Sequence, residues 1–434
     1  MKTIKQNSGW VLIGILAVIP IILWYMAPAY PPRFSGFEVT LANLGQIFGL
    51  AGLALMSLNF VLSIDAKWLE KLFMGLNDAY IKHGLIGKAG FILLLFHPLL
   101  LVNKFTELTF DGILGFFLPG QEWDVNFGII SLWIMMLLIV LTLYLRPKYH
   151  IWKITHKFMG LALIFAGLHV WLIPATVSYY KPLRYYMLAI LFAGIGAFIY
   201  KTLLGWLLQP KHILTVSDVK KLNEQITEIT LTPKKSFAYQ AGQFLMISFL
   251  DKEIGQEEHP FSIVSAPHEN GVRIAIKNLG DYTSKIDKLT IGGKAKARGP
   301  FGVFNYKIAK SNKQIWIAGG IGITPFVGMA EDLRNNGEEY EVELFYATKE
   351  MKDAVYLHQL DAISRQMREN FRVFPMYSYR NETLSAESVL LKSGGFENKH
   401  IFMCGPAKMM EALEKQFKKL GIKKKFLHTE KFSL

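Results

Sequence analysis

The 434 residues carry 48 Lys and Arg against 34 Asp and Glu, a formal net charge of +14. Their mean hydropathy of +0.26 averages an apolar first half and a polar second half, which argues against one soluble globule and allows two or three domains. The charge suits an anionic membrane face or phosphate-bearing cofactors better than nucleic acid, and the single cysteine, Cys404, excludes a disulfide framework, a four-cysteine iron–sulfur cluster and a four-cysteine zinc site.

Six stretches approach the about 20 apolar residues that cross a bilayer: 10–27, 41–64, 83–102, 126–145, 154–173 and 183–208. Lys2 and Lys5 give the first the look of a signal peptide, but no small-residue cleavage site follows near Ala27, so it reads as a retained helix. Lys67, Lys71 and Lys82 lie in the second connection and Arg146, Lys148, Lys153 and Lys157 in the fourth. The loop 103–125 instead sets Glu107, Asp111, Glu122 and Asp124 against Lys104. By the positive-inside rule both termini are cytoplasmic, in a multi-pass protein of the plasma membrane.

Two spans carry two histidines each. His83 and His97 are 14 residues apart on the third, and His156 and His169 are 13 apart on the fifth. At about 1.5 Å per residue both spacings cover about 20 Å of helix axis. The two helices run the same way, so His83 matches His156 in depth near the cytoplasmic face and His97 matches His169 farther out. Polar side chains at such depth are costly and usually functional. The pattern predicts two stacked haems, each ligated axially by two neutral imidazoles. At about 100° per residue, a step of 14 returns to nearly the same face, whereas a step of 13 falls about 140° away. Either the fifth helix is wound or bent unevenly, with Gly160 and Gly167 as candidate points, or the haems approach it from different directions. Lys88 and Lys157 lie where either haem propionates or the lipid interface could take them.

Past Pro210 the pattern changes to short alternating strands such as 213–219 and 226–232, and then to apolar strands alternating with polar helices. That predicts an all-α six-helix membrane bundle over 1–209, a small β-barrel over 210–310 and a doubly wound α/β domain over 311–434.

Three motifs lie in the second half: His259-Pro260-Phe261-Ser262, Lys277 to Thr283, and Gly319-Gly320-Ile321-Gly322-Ile323-Thr324-Pro325-Phe326. Together they resemble the ferredoxin-reductase-type FAD and NAD(P)H modules of the NADPH oxidase and ferric reductase superfamily. The histidine spacings are similar too, so the resemblance covers nearly the whole chain. It is nearest to stand-alone bacterial NADPH oxidase-like proteins, since neither an EF-hand loop nor a peroxidase-like domain is evident in the sequence.

The resemblance implies FAD bound by His259, Pro260, Phe261 and Ser262. His259 would face the pyrophosphate, Phe261 would lie against the flavin, and Ser262 would stand near flavin N5. Lys277, Gly280 and Thr283 would meet phosphate through charge, N–H and hydroxyl. Gly319, Gly320 and Gly322 would let a dinucleotide reach a helix N-terminus, with Thr324 near the nicotinamide and Pro325 in the first turn. Cys404, in Cys404-Gly405-Pro406, would stand beside the carbon that gives up hydride, and Phe432 would cover the flavin. Lys349 and Arg380 favour NADPH over NADH, although Glu350 blurs the choice.

The implied activity is hydride transfer from NAD(P)H to FAD and single-electron transfer through two b-type haems to an outside acceptor. Dioxygen giving superoxide comes first and ferric iron or a ferric chelate second. A haem subunit supplying electrons to a partner protein, and a flavin reductase merely tethered by six helices, are the other readings. No nucleic acid and no obligatory activator protein are expected.

Overall fold

The computed structural model describes residues 2–73, 75–105, 109–145, 147–205, 211–336, 339–380 and 382–430. The chain forms two compact units, 3–208 and 209–434.

The first unit is helical. Its elements are α1 (Lys2–Met26), α2 (Phe37–Leu62), α3 (Lys67–Phe73), α4 (Leu76–Phe105), α5 (Phe110–Phe116), α6 (Trp123–Val140), α7 (Tyr149–His156), α8 (Met159–Leu172), α9 (Thr176–Tyr179) and α10 (Lys181–Ile199). Helices α6 and α10 each run on into a π-helical turn, Leu141–Leu145 and Tyr200–Leu204. Six helical spans among the described residues are long and apolar enough to cross a membrane, and each of the six expected stretches overlaps one of them, the last as far as Leu204.

Helix α2 is the hub of this unit, because glycines let α4 lie close along it. A Cβ on Gly45 would come within 2.9 Å of Leu101 Cγ, one on Gly49 within 2.6 Å of His97 Nδ1, and one on Gly52 within 2.7 Å of Leu94 Cγ. Positions 45, 49 and 52 share one helix face, and small residues at such a seam bring backbones together where lipid offers no hydrophobic drive. Trp24, Leu53, Met135, Leu163 and Met187 fill the core, while Ile15, Leu85, Leu137 and Phe192 stay exposed around the bundle.

The second unit begins with six antiparallel strands: β1 (His212–Lys221), β2 (Ile226–Pro233), β3 (Phe244–Phe249), β4 (His259–Ser262), β5 (Val272–Lys277) and β6 (Lys294–Phe301). Their order is β4-β3-β6-β1-β2-β5. An isolated bridge between Ile263 and Ile274 nearly closes the sheet into a barrel. Alternate residues, such as Leu214 and Val216 or Ile229 and Leu231, point inward with the period of two that a pleated strand imposes.

The chain then alternates β7 (Lys313–Gly319), α11 (Thr324–Asn336), β8 (Glu341–Thr348), α12 (Leu357–Met367), β9 (Phe371–Tyr377), α13 (Ala386–Ser393), β10 (His400–Cys404), α14 (Ala407–Lys419) and β11 (Leu427–Glu430). This parallel sheet has the order β11-β10-β7-β8-β9, so the chain steps outward from β7 and returns on its other side. The loops after β7 and β10 therefore face each other at a topological switch point, where open α/β sheets bind dinucleotides.

Of the two expected domain joins, the one near 210 lies outside the described residues. Near 310 the packing is continuous, since Val264 and Phe304 share one core with Trp316, Phe326 and Phe402. Tyr356 donates its hydroxyl hydrogen to Glu228 Oε2 at 2.6 Å, and Glu228 also meets Arg273 at 3.2 Å. Barrel and sheet thus form one folded body.

Candidate functional site

Two depths of the helical unit each hold a facing pair of imidazoles. The ring centroids of His83 and His156 are 6.2 Å apart at 69°, and those of His97 and His169 are 6.4 Å apart at 68°. His83 Nδ1 lies 3.0 Å from the Asn59 carbonyl oxygen, His97 Nδ1 2.7 Å from that of Gly45, and His169 Nδ1 2.7 Å from that of Asp124. A carbonyl only accepts, so a hydrogen bond here requires the proton on Nδ1 and leaves the Nε2 lone pair for a ligand. His156 differs. Its buried Nδ1 has no hydrogen-bond partner among the described residues, and its ring stacks on Trp152 at 5.2 Å.

Sequence reading missed the residues that hold these rings. Gly49 and Gly128 each stand four residues after an accepting carbonyl, those of Gly45 and Asp124. A Cβ on Gly49 would meet His97 Nδ1 at 2.6 Å and one on Gly128 would meet His169 Nδ1 at 3.0 Å. Glycines at histidine depth in the second and fourth spans were the available signal.

The angular mismatch of the fifth span also has a local cause. The N–H groups of Lys157, Phe158, Gly160 and Leu161 bond carbonyls three residues back, at Ile154, Thr155, Lys157 and Phe158. Such winding advances about 120° per residue instead of about 100°, so the five steps from His156 to Leu161 regain about 100° of the missing 140°. Gly160 lies in the tightened segment, whereas Gly167 sits within α8 against Leu191. Lys88 and Lys157 are exposed.

The ring separations test the fit to haem. A metal–imidazole bond of about 2.0 Å and a ring radius of about 1.2 Å, taken twice, give about 6.4 Å. Both pairs match that length, so these residues fit bis-histidine ligation of one iron at each depth.

In the barrel, Ser262 ends β4 opposite Phe244 and is buried, with Pro260 opposite Met246 and Phe261 half-buried. The His259 ring lies 4.2 Å from that of Tyr282, and its Nε2 is 3.3 Å from Glu257. Arg298 on β6, which β3 separates from β4, grips Glu258 at 2.6 and 2.7 Å. Lys277 and Gly280 line an open cleft with Gln225, Asn278, Leu279 and Ser284. Thr283 does not simply offer its hydroxyl there: Oγ1 accepts from Leu279 N at 2.9 Å and from Gly280 N at 3.0 Å. The turn is held by its own hydrogen bonds, which a phosphate would have to share or displace.

At the switch point, Gly319 ends β7 and a Cβ on Gly322 would stand 2.4 Å from the Cys404 carbonyl oxygen. Gly405 lies against Gly319, where its Cβ would be 3.1 Å from Gly319 Cα, and Pro406 leads into α14. Gly320 has φ of +54°, a conformation that favours glycine. Thr324 is buried and donates to Ile321 O at 3.0 Å, with Pro325 next in the helix. Cys404 is fully buried between Ala318 and Glu430; burial first, and the Glu430 charge second, push its thiol well above 9.0. At the carboxyl ends of β8 and β9, Tyr379 N donates to Lys349 O at 3.2 Å and Arg380 Nε to the Tyr379 hydroxyl at 2.6 Å. Lys349 and Arg380 are therefore neighbours, both exposed. Phe432 lies outside the described residues.

Known families match three consecutive stretches: the ferric reductase like transmembrane component over 48–167, an FAD-binding domain over 212–319 and an oxidoreductase NAD-binding domain over 316–415. The chain is 32% identical to dual oxidase 2 of Rattus norvegicus over 130 residues, which is 28% of this chain and 8% of that protein. It is 24% identical over 229 residues to the ferredoxin reductase component of 3-ketosteroid-9-alpha-monooxygenase from Rhodococcus rhodochrous, 51% of this chain and 65% of that one. It thus spans less than two thirds of the length of either relative. The FAD/NAD binding domain of nitric oxide dioxygenase from Vibrio cholerae O1 biovar El Tor is a similar solved structure, at a TM-score of 0.45 and 20% identity over 50% of this chain and 97% of that one. A ferric reductase-like membrane component followed by FAD-binding and NAD-binding domains matches the NADPH oxidase and ferric reductase superfamily.

Proposed function

We propose that the chain is a transmembrane NAD(P)H oxidase of the plasma membrane, with its bundle over 1–209, an FAD barrel over 210–310 and an NAD(P)H domain over 311–434. It takes hydride from NAD(P)H in the cytoplasm and delivers single electrons outside to dioxygen, giving superoxide. FAD, when bound, accepts electrons in pairs and releases them singly, and two b haems carry them one at a time. The carrying observation is the two facing histidine pairs at 6.2 and 6.4 Å, at separations that suit one iron each.

On this reading His83 and His156 hold the inner haem, and His97 and His169 the outer one. Backbone carbonyls keep three of those imidazoles in the ligating tautomer. Ser262 is the hydroxyl available to flavin N5, with Phe261 beside the ring and His259 and Pro260 toward the pyrophosphate. Lys277 supplies charge to phosphate, and Thr283 and Gly280 re-pair to admit it. The bare backbone of Gly319, Gly320 and Gly322 lets the dinucleotide approach, Thr324 and Pro325 open the helix beneath it, and Gly405 and Pro406 keep the facing loop thin. Cys404, neutral because it is buried, would border the nicotinamide, and Phe432, outside the described residues, would be the aromatic available to the flavin. Lys349 and Arg380 can share a 2′-phosphate, which favours NADPH. The lysine-rich connections put both termini inside.

Ferric iron is the second acceptor, favoured by the family match over 48–167. An anaerobic absorbance spectrum of the purified protein with FAD, before and after NADPH, tests the relay; admission of oxygen with and without superoxide dismutase tests the acceptor. Haem bands that reduce with NADPH, then reoxidise in air with dismutase-sensitive product and no added activator, are expected. Reduced haem stable in air but oxidised by ferric chelates would move the assignment to ferric reductase, and absence of haem bands would overturn the relay.

A further inference from the structure

The four imidazoles are not held alike. Both rings of the 97/169 pair reach carbonyls at 2.7 Å, whereas the 83/156 pair has one such contact, at 3.0 Å, and His156 Nδ1 has none among the described residues. What His156 has is Trp152, one turn earlier on α7, stacked on it at 5.2 Å and 27°. Trp152 is anchored in turn: its Nε1 donates to Thr142 Oγ1 at 3.3 Å, and the Thr142 hydroxyl donates to Leu138 O at 2.7 Å. Thr142 sits in the π-helical turn Leu141–Leu145 that ends α6. Such turns are rare and frequent at functional sites.

We infer that Trp152 is the positioning residue for His156, fixing by stacking the ring that no carbonyl holds, and that the 83/156 pair is in consequence the higher-potential of the two haem sites. This rests on the proposal that the pairs hold haem. An acceptor on Nδ1–H draws the proton away from the ring and makes the ligating nitrogen more basic, which favours oxidised iron and lowers the potential. Stacking sets the ring plane without adding an acceptor. The 97/169 pair therefore carries two basic ligands and the 83/156 pair only one. Trp152 and Thr142 touch neither iron nor substrate in this scheme; they act through the orientation of one imidazole.

The test is a potentiometric titration of the full-length purified protein, followed by haem absorbance and by the low-spin resonance signals of the oxidised state. Wild type is expected to reduce in two steps. Trp152→Leu should move the higher step and broaden one of the two resonance signals, leaving the lower step in place. Trp152→Phe, which keeps a stacking ring, should restore most of that shift, and Thr142→Val should reproduce a smaller part of it. Should Trp152→Leu lose haem outright, the phenylalanine and valine variants still carry the comparison. Two bound haems with unmoved steps in all three variants, or movement of the lower step alone, would overturn this assignment while leaving the relay intact. A wild-type protein without haem would overturn both.

Discussion

The helical unit and the barrel-and-sheet unit hold their functional groups by opposite means. In the helical unit three of the four histidines reach backbone carbonyls, two of them beside a glycine, as His97 reaches Gly45 beside Gly49. In the other unit, charge does much of the fixing: Arg273 joins Glu228 and Glu269, and Arg298 joins Glu258. The difference follows the solvent. Lipid supplies no water to an unpaired group, so a helix lends carbonyls it already has, whereas ion pairs near water cost little to assemble and each stabilises little. A substitution in the first unit should therefore abolish a site, and one in the second should loosen it.

The largest effect is expected at Gly49. A valine there puts its Cβ 2.6 Å from His97 Nδ1 and further methyl groups beyond it, so the imidazole cannot keep its bond to Gly45 O. Gly49→Val should halve the haem content per FAD while NADPH still reduces the flavin, as read by pyridine haemochrome and flavin absorbance. Gly128→Ala, whose Cβ meets His169 at 3.0 Å, should be milder. Full haem in Gly49→Val would break the contrast between the units at its strongest point.

How far the fold could be read beforehand divides along the same line. Six apolar stretches, the strand alternation after 210 and the glycine turn at 319–322 are local patterns, and they lead to the bundle, the barrel and the doubly wound sheet. The depth matching of the histidines was legible because helix rise is fixed at about 1.5 Å per residue. The holders were not legible: Gly45, Asn59 and Asp124 act through carbonyls, which every residue has, and their choice depends on how helices cross. The tight winding after His156 is likewise set by packing, since Gly160 yields space to the Phe198 ring. The turn of Thr283 with Gly280 shows the converse: its motif was legible, whereas the hydrogen bond from Gly280 N to Thr283 Oγ1 within it was not.

In the second unit the same logic predicts graded losses. A Cβ added at Gly322 would stand 2.4 Å from the Cys404 carbonyl, so the two switch-point loops must part. Gly322→Ala should lower kcat/KM for NADPH by about 10²-fold, the scale of a misplacement of about 1 Å, with haem content unchanged. Tyr356→Phe removes the hydroxyl that meets Glu228 from a residue only 4% exposed. It should cost about 1–2 kcal/mol in denaturant unfolding of the barrel-and-sheet unit, with turnover near wild type. A catalytic defect larger than the stability loss would mean that this joint does more than hold barrel to sheet.

The smallest effect is at Cys404, and it is a matter of pH. Burial raises the folded-state thiol pKa above its ordinary 9.0, so the folded chain holds this proton where the unfolded chain has begun to release it. The contribution to stability is complete below pH 9.0 and is lost as pH rises toward the folded value. Wild type and Cys404→Ala should therefore differ in melting temperature by a constant amount from pH 7 to pH 8.5, and wild type should lose ground above pH 9.0. Because Cys404 is the chain's only cysteine, a thiol reagent reports on it alone. Labelling of the native protein at pH 8 should be slower than that of the unfolded chain by about 10²-fold or more, since both access and thiolate are withheld. Fast labelling would place a reactive thiolate at the end of β10 and make the barrel-and-sheet unit, like the helical one, a place where a single side chain decides the site.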